Sequence, residues 1–279
     1  MIEPHTAHMC ECAELLHMRR QAEVCKELYP DHEILIQSVP KGGITIRTLP
    51  AFGGKLNRVV GCGEEGALAD ADLKELESVF AIVGLKPEIH LSPFAQPSVS
   101  EFLVSRGYVE TATLVTHWCD LKQAMFADMA PCSTGPTVLV RRATADEAGR
   151  FIEASAAGFQ TNGRTHELLR ALASIATRRK DSTLYFAFVN DEIAGTAAMA
   201  TMATAEGQVA HLYLDSTLMG HRGQGVQLAL IRARLLDAVR HGLDVASSIT
   251  RVGHGSARNA RRAGLRLAYT TRIFNQLRG

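Results

Sequence analysis

A glycine-rich segment near residue 225 has the composition of an anion-binding loop. The residues His221-Arg222-Gly223-Gln224-Gly225-Val226-Gln227-Leu228 lie between a predicted strand and a predicted helix. Two glycines at the start of a helix allow a tight turn, and the unbonded N–H groups of the first helical turn then point toward one spot. The helix dipole adds a positive potential there, so the segment suits a phosphate or pyrophosphate. A plain junction between loop and helix is the alternative.

The charges around this segment favour the anion-binding interpretation. Helix starts usually carry Asp or Glu, yet no acid occurs between Asp215 and Asp237, whereas three arginines do. The segment matches neither common nucleotide motif. A P-loop needs Lys and then Ser or Thr after its last glycine, and a dinucleotide fingerprint needs a third glycine where Leu228 stands.

The predicted elements around this loop form an α/β domain. Their order is β-α-α-β-β-β-α-β-α-β, which places antiparallel strands first and a crossover later and so predicts a mixed sheet flanked by helices. A capping box, Thr144 with Glu147, begins the first helix, and Gly242 ends the helix that follows the loop. That helix has a predicted core face formed by Leu228, Ile231, Leu235 and Ala238.

The first half of the chain repeats this order more faintly. Residues 97–118 align with residues 254–274, with Gly107 opposite Gly264. We therefore predict two copies of one fold in tandem, the first of them degenerate; two unrelated α/β domains are the alternative. A stretch with two prolines predicts a linker at 122–137, which separates domains at 1–121 and 138–279.

The composition describes a globular chain whose halves carry opposite charge. Of its 279 residues, 46% are hydrophobic and 21% are charged, as in packed proteins. Residues 1–135 hold 11 Lys and Arg against 18 Asp and Glu, net −7, and residues 136–279 hold 19 against 11, net +8. The basic half could attract a polyanion, and the acidic half could dock on it or face a cationic substrate.

Several classes of protein are excluded. No apolar run approaches ~18 residues and the first residues lack the pattern of a signal peptide, so we expect a cytoplasmic protein without membrane contact. The six cysteines all lie in the first half without framework spacing, so disulfides are not expected. Cys10-x-Cys12 lacks the spacing of a metal-binding pair, so we expect no metal but a terminal helix with buried thiols.

At the glycine-rich loop the sequence resembles a known family. Arg222 to Gln227 is similar to the Arg/Gln-x-x-Gly-x-Gly/Ala signature of the GNAT acyltransferases, with Gln227 in place of the usual small residue. The resemblance covers about 138–274 and implies that acetyl-CoA is the co-substrate. It implies that the loop, Arg222, Gly223, Gln224, Gly225, Val226 and Gln227, holds the pyrophosphate.

The same resemblance assigns further cofactor residues. The strand end Ser216-Thr217-Leu218 looks like the segment whose backbone pairs with the pantetheine arm, and Asn259 lies in a junction similar to the family's late helix and strand. In the first half, residues 61–65 place two carboxylates where phosphates would lie. That half is therefore expected not to bind CoA.

The resemblance implies direct attack of a primary amine on the thioester, which requires a base. Strand alternation predicts His211, Tyr213 and Asp215 on one face, with Leu212 and Leu214 on the other. Histidine titrates near neutral pH, so we predict that His211 is the base, directly or through a water. A half-exposed strand whose polar face has no role is the alternative.

The acid that protonates the leaving thiolate is harder to assign. Many relatives have a tyrosine where this chain has Ala260, so Tyr269 on the final strand is the candidate, against a packing role. Ser247 and Ser248 could orient substrate or water, or serve packing.

Three functions are compatible with these patterns. The first is an acetyl-CoA-dependent N-acetyltransferase that acts on an unidentified small-molecule amine or peptide. The second is a CoA-binding sensor or scaffold without catalysis. The third is a nucleic-acid binder, which ranks last because no aromatic platform accompanies the arginines of the second half. The oligomeric state is left open.

Overall fold

The computed structural model describes residues 2–122, 137–159, 163–253 and 255–276. They group into two compact units: residues up to Thr116 together with those from Ala268 onward, and His117–Leu267. These limits differ from the predicted domains of 1–121 and 138–279, because the end of the chain belongs to the first unit. The predicted linker at 122–137 lies outside the described residues except at its two ends.

The first unit combines helices with a mixed sheet. Strands β1, β2 and β3 pair antiparallel in that order, β3 pairs parallel with β4, and β4 pairs antiparallel with β11. The unit boundary falls within β5 and within β11. The elements are α1 (Pro4–Leu28), β1 (Leu35–Ser38), β2 (Ile44–Arg47), α2 (Gly53–Leu56), β3 (Arg58–Val60), α3 (Asp70–Ala81), β4 (Ile89–Leu91), α4 (Pro97–Ser105), β5 (Tyr108–Asp120) and β11 (Arg266–Gln276).

Strand pairing explains why the end of the chain belongs to the first unit. Arg272 lies opposite Leu91 and Phe274 lies opposite Ile89 in the β11–β4 ladder. Phe274 is also buried in the core of this unit, where it packs among residues of α3, α4 and β4. The last strand of the chain, β11, therefore pairs into the sheet of the first unit.

The second unit has the predicted element order except for the final strand, β11, most of which belongs to the first unit. Strands β6, β7, β8 and β9 pair antiparallel in sequence order, and β10 pairs parallel with β9. The elements are β6 (Leu139–Arg142), α5 (Ala148–Phe159), α6 (His166–Arg178), β7 (Ser182–Val189), β8 (Glu192–Ala203), β9 (Gln208–Thr217), α7 (Val226–Arg240), β10 (Val245–Arg251) and α8 (Gly255–Arg262).

Helices cover both faces of this second sheet. On one face, Phe151 of α5 and Ala173 of α6 pack with Phe186 of β7, and the two phenyl centroids lie 5.9 Å apart. On the other face, α7 and α8 pack against β8, β9 and β10. The predicted core face of α7 is confirmed, since its four residues are all buried: Leu228, Ile231, Leu235 and Ala238.

The predicted fold class, α/β with largely antiparallel mixed sheets in two units, is confirmed. In each unit three successive antiparallel strands precede a helix and then a strand parallel to the third: β1, β2, β3, α3 and β4 in the first, and β7, β8, β9, α7 and β10 in the second. None of the helices in the described ranges is long and apolar enough to cross a membrane.

The N-terminal helix carries buried thiols, as predicted. Cys10 and Cys25 are buried thiols of α1, and Cys62 and Cys119 are buried thiols elsewhere in the fold. Burial raises the pKa of Cys25 and of Cys62 to about 12, because the apolar surroundings disfavour the thiolate. These side chains therefore behave as small hydrophobic residues.

Candidate functional site

Two parallel strands part in the middle of the second unit. Strands β9 and β10 are in register from Val209 opposite Val245 to Leu212 opposite Ser248. Beyond that pair β9 continues to Thr217 and β10 to Arg251 without further pairing between them. The backbone edge of β9 beyond Leu212 is thus available to a ligand. Crevices outside the carboxyl ends of parallel strands are common binding sites.

The glycine-rich loop forms the start of α7 beside this opening. Gly223 and Gly225 have φ of 77° and 82°, in the left-handed region, although a Cβ on either would meet no atom within 4 Å. Their role is therefore conformational rather than spatial. Gly225 is the N-cap of α7, no side chain caps the helix, and no acid lies in its first turn. No side chain of the described residues therefore occupies the first-turn N–H groups of α7, a geometry that suits an anion.

Arg222 holds this loop in place. Its side chain donates from Nη2 to the carbonyl of Gly158 at 3.2 Å and from Nε to the carbonyl of Thr217 at 3.4 Å. The loop is therefore tied both to the end of α5 and to the end of β9. Arg222 is exposed, so its guanidinium adds a positive charge beside the loop.

Two predicted cofactor residues contact each other. Asn259 Nδ2 donates to Gln227 Oε1 at 2.8 Å, which joins the first turn of α7 to α8. Gln227 is the residue that departs from the family signature. Its larger side chain is thus used to fasten α8 beside the loop.

The strand end Ser216-Thr217-Leu218 is closely packed. Ser216 is buried and its hydroxyl lies 2.9 Å from that of Thr196, while the Leu218 N–H donates to the Ala194 carbonyl at 2.9 Å. The Ser216 side chain and the backbone edge that faces β8 are used in hydrogen bonds within the fold. A ligand would therefore meet the opposite backbone edge of β9.

Gly195 allows α7 to begin close to this strand. A Cβ there would lie 2.6 Å from the Ser216 carbonyl oxygen and 2.8 Å from Val226 Cγ1, far inside normal contact. The close approach of β8, β9 and the start of α7 therefore requires a residue without a side chain at this position.

A β-bulge interrupts β9 where it leaves β10. Ala198 lies opposite Tyr213 and Thr196 lies opposite Ser216, so β9 has two residues, Leu214 and Asp215, against one of β8. Leu214 has φ of 56°, a left-handed conformation that is costly for a branched side chain. An extra residue in one strand bends it and changes which face the following side chains occupy.

The bulge makes the predicted alternation of β9 wrong. Tyr213 and Leu214 both pack in the cluster beneath α5 and α6, whereas Asp215 forms an ion pair with Arg234 of α7. Asp215 is therefore on the α7 face with Leu212. The one-residue insertion shifts the phase after Leu214, and only His211 and Tyr213 keep a common face, with stacked rings 6.3 Å apart.

Comparison with solved structures identifies the fold of the chain. No protein-family model and no curated protein matches the sequence. A GCN5-related N-acetyltransferase (GNAT) from Kribbella flavida has a TM-score of 0.63 at 16% identity, covering 93% of this chain and 96% of that one. A functionally unknown conserved protein from Staphylococcus epidermidis gives 0.60 at 11% identity, covering 90% and 96%. A GNAT from Sphaerobacter thermophilus gives 0.51 at 18% identity, covering 67% and 58%.

The chain has the GNAT fold. At identities this low the likeness establishes the fold alone, so the chemistry of the site has to be argued from its own residues.

His211 lies on β9 of this GNAT-fold unit, one residue before the last pair that β9 makes with β10. It is 3% exposed, and its Nδ1 lies 3.1 Å from the hydroxyl of Ser247, its register partner on β10. The strand is thus more buried here than the half-exposed alternative assumed. Because Ser247 contacts Nδ1, its hydroxyl can influence which tautomer the ring adopts.

Tyr269 belongs to the first GNAT-fold unit, whereas His211 and the loop belong to the second. Its hydroxyl donates to Glu11 Oε2 at 2.8 Å, and its ring contacts Phe94 with centroids 5.6 Å apart. Burial, with Glu11 nearby, raises the pKa of Tyr269 well above its usual value, so it holds its proton tightly. These contacts favour the packing role over the acid role.

The position of the family's tyrosine has no hydroxyl in this chain. Ala260 is buried in the core that α8 forms with α7. A phenol therefore does not reach the cleft from this position.

Sequence reasoning missed Arg234, which is fully buried on α7. The signal was present, because Arg234 lies three residues after Ile231 and four before Ala238, on the predicted core face. A charge on such a face indicates a buried partner. That partner is Asp215, which the predicted alternation had placed on the other side of the sheet.

The corresponding loop of the first GNAT-fold unit is acidic. After β3, residues 61–66 lead toward α3, whose N-cap N–H, on Ala69, donates to the Asp72 carboxylate at 2.8 Å. Glu64 accepts from Ser92 at 2.7 Å, and burial raises the pKa of Glu64. A helix start that carries its own carboxylates repels a phosphate.

Proposed function

We propose that the protein is an acetyl-CoA-dependent N-acetyltransferase whose second unit, His117–Leu267, binds the cofactor. One observation carries the proposal: an uncapped helix start with left-handed glycines lies beside a parallel strand pair that parts. The uncapped helix start suits a pyrophosphate. The unpaired edge of the parted strand suits the pantetheine arm of the cofactor, which is extended and contains amides. The GNAT fold agrees with this assignment.

The cofactor would bind through the backbone of both features. The amides from Gly223 to Gln227 would cradle the pyrophosphate, with Arg222 holding the loop and Asn259 holding Gln227. The pantetheine arm would pair with the free edge of β9 up to Leu218. No side chain of the described first turn of α7 competes for these amides.

In the proposed reaction, the amine nitrogen attacks the thioester carbonyl carbon. A C–N bond forms, the C–S bond breaks, and CoA leaves as the thiolate. The proton that the amine loses passes to His211, directly or through a water. His211 can accept it at Nε2 when Nδ1–H donates to Ser247 Oγ, which is the contact observed at 3.1 Å. The acceptor is a primary amine on a small molecule or a peptide.

The proposal is tested by calorimetric titration of acetyl-CoA into the wild type and into Gly225→Glu. The glutamate adds a negative charge at the cradle, so binding by the variant should fall below detection. Gly242→Glu is the matched control: it lies after the other end of the same helix, has φ of 67° and also has no atom within 4 Å of a Cβ. It should bind acetyl-CoA within about threefold of wild type, about 0.6 kcal/mol.

Two results would be decisive against the proposal: no binding by cofactor-free wild type, or equal loss in both variants. Binding followed by release of CoA thiol with one member of an amine panel would establish transfer. Binding without thiol release for any amine would instead describe a CoA-binding protein without this activity.

A further inference from the structure

His211 belongs to a row of residues that crosses the sheet of the second unit. The strand registers place one member of the row on each of β7, β8, β9 and β10: Ser182, Ala200, His211 and Ser247. Residues directly opposite one another on neighbouring strands share a face of the sheet. The hydroxyl of Ser247 reaches the imidazole directly, whereas Ser182 lies two strands away.

Tyr213 spans the distance between Ser182 and His211. It lies two residues after His211 on the same face of β9, and the two rings stack with centroids 6.3 Å apart and planes 30° apart. The phenol oxygen lies 2.6 Å from Ser182 Oγ. Between β7 and β9, the fully buried Ala198 and Ala200 of β8 leave room for the aromatic ring. The phenol is thus held at its far end while the ring packs against the imidazole.

A buried ion pair supports the same ring. The guanidinium carbon of Arg179 lies 5.5 Å from the centroid of the Tyr213 ring, and the Arg179 side chain is 1% exposed. Its Nε and Nη2 donate to the two carboxylate oxygens of Asp181 at 2.9 and 2.8 Å. A two-point contact of this kind fixes the orientation of a guanidinium, and a cation is attracted to an aromatic face. Arg179 and Ser182 therefore both hold Tyr213.

The contacts of His211 limit two different motions of its ring. A half-turn about Cβ–Cγ would exchange the two edges of the imidazole, and the contact of Nδ1 with Ser247 distinguishes one edge from the other. A smaller rotation would tilt the ring plane, and the stack against Tyr213 opposes that tilt. Orientation matters for a base, because a displacement of about 1 Å can cost about 100-fold in rate.

We propose that Tyr213 is a positioning residue for His211: its ring, held by Ser182 and Arg179, fixes the plane of the imidazole in which the Ser247 hydroxyl selects one tautomer. The inference rests on the proposed function, which gives His211 the role of the base. Burial raises the pKa of Tyr213, so the phenol keeps its proton at neutral pH. Its effect passes through the orientation of His211.

The tautomer of His211 is measured in the full chain, without cofactor, by long-range ¹H–¹⁵N NMR at pH 8. In a neutral imidazole the protonated and the unprotonated nitrogen give separate signals, which converge when two tautomers exchange. The spectrum of His211→Gln identifies the signals that belong to His211. We expect well-separated signals in the wild type and converged signals in Tyr213→Leu, which lacks the ring.

Two milder variants break one contact from opposite ends. Tyr213→Phe and Ser182→Ala each remove the 2.6 Å contact between the hydroxyls and keep an aromatic ring beside His211. Each should give the same partial convergence, and their combination should add little. They keep the inference testable if Tyr213→Leu does not fold. Unchanged signals in every folded variant of this set would overturn the positioning role.

Tyr185 supplies the matched control. It is also a buried tyrosine of this sheet, but it lies in the core beneath α7, where its hydroxyl donates to Asp237 Oδ2 at 2.6 Å. Tyr185→Leu and Tyr185→Phe should leave the His211 signals as they are in the wild type. Convergence as large as that in the Tyr213 variants would indicate general loosening of the sheet and would also overturn the inference.

Calorimetry and kinetics separate this inference from the proposed function. Tyr213→Leu should bind acetyl-CoA within about threefold of wild type. With an identified amine, its kcat should fall by about 10–100-fold with little change in KM. A wild-type kcat in this variant would overturn the role of Tyr213 alone. Failure of the wild type to bind acetyl-CoA would refute the proposed function, and with it the role of His211.

Discussion

Asn259 Nδ2 donates a 2.8 Å hydrogen bond to Gln227 Oε1, and this contact fastens α8 to the first turn of α7. Both residues belong to the set that the family resemblance assigns to the cofactor. Their contact means that one of them acts on the loop through the other.

We therefore expect the effects of these two residues on cofactor binding to be non-additive. Gln227→Ala and Asn259→Ala should each weaken acetyl-CoA binding by about 3–10-fold, since each releases α8 from the loop. The double variant should be little weaker than either single variant. A calorimetric double-mutant cycle measures this, and fully additive losses would show that each residue contacts the cofactor independently.

His211 and Ser247 should act on the chemical step and not on cofactor binding. His211→Ala should lower kcat by about 10²–10⁴-fold, the usual range for a general base. Ser247→Ala should have a smaller effect and move the pH profile of kcat, because the hydroxyl at 3.1 Å no longer selects the tautomer. Steady-state kinetics between pH 6 and 9 with an identified amine tests both.

Calorimetry supplies the control for this pair. Both variants should bind acetyl-CoA as the wild type does. If His211→Ala instead lost binding while any residual turnover kept the wild-type pH profile, the base would have to be sought elsewhere.

Glu11 should make the protein less stable as pH rises. Burial, with Glu64 nearby, raises the pKa of Glu11 to about 8 from an ordinary value of 4.5. The folded state then binds more protons than the unfolded state between these values, so the free energy of unfolding falls as pH rises from 4.5 to 8. This contribution is fully present below pH 4.5 and is lost above pH 8.

Glu11→Gln tests this pH dependence. A glutamine keeps an oxygen to accept from the Tyr269 hydroxyl, which lies 2.8 Å from Glu11. The variant should have a Tm several degrees above wild type at pH 9 and a smaller decline between pH 5 and 9. Glu23→Gln, exposed on the same helix, should follow the wild type. Parallel Tm curves for Glu11→Gln and wild type would contradict the prediction.

Gly195 should be intolerant of any side chain. In Gly195→Ala the new methyl would lie 2.6 Å from the Ser216 carbonyl oxygen and 2.8 Å from Val226 Cγ1. We expect a loss of about 1–3 kcal/mol in stability, with weaker acetyl-CoA binding because the start of α7 is displaced.

Gly149→Ala is the control for that substitution. It lies in α5 with no atom within 4 Å of its Cβ, and it should be more stable than wild type by about 0.5–1 kcal/mol. Denaturant unfolding measures both variants. A neutral Gly195→Ala would mean that the strand can move away from the helix without cost.

Local patterns carried much of the prediction. The apolar spacing of Leu228, Ile231, Leu235 and Ala238 identified the buried face of α7, because a helix presents residues three and four apart on one side. The glycines at 223 and 225 identified the loop, because few other residues adopt left-handed φ without strain. Both signals lie within a few residues of the feature that they predict.

Long-range pairing was beyond such patterns. The prediction that His211, Tyr213 and Asp215 share one face was wrong because a bulge shifts the register of β9 against β8. No residue type within β9 indicates that bulge. Tyr269 was assigned to the second half because it follows it in sequence, yet β11 pairs with β4.

By itself, the sequence determined the class of fold, the order of most elements and the glycine-rich turn that begins α7. Only the tertiary structure decided that His211 meets Ser247, that Arg234 holds the bulge through Asp215, and that Tyr269 bonds Glu11. The physical reason is that propensity and periodicity act along neighbouring residues, whereas these contacts depend on strand register and on the packing of elements distant in the chain.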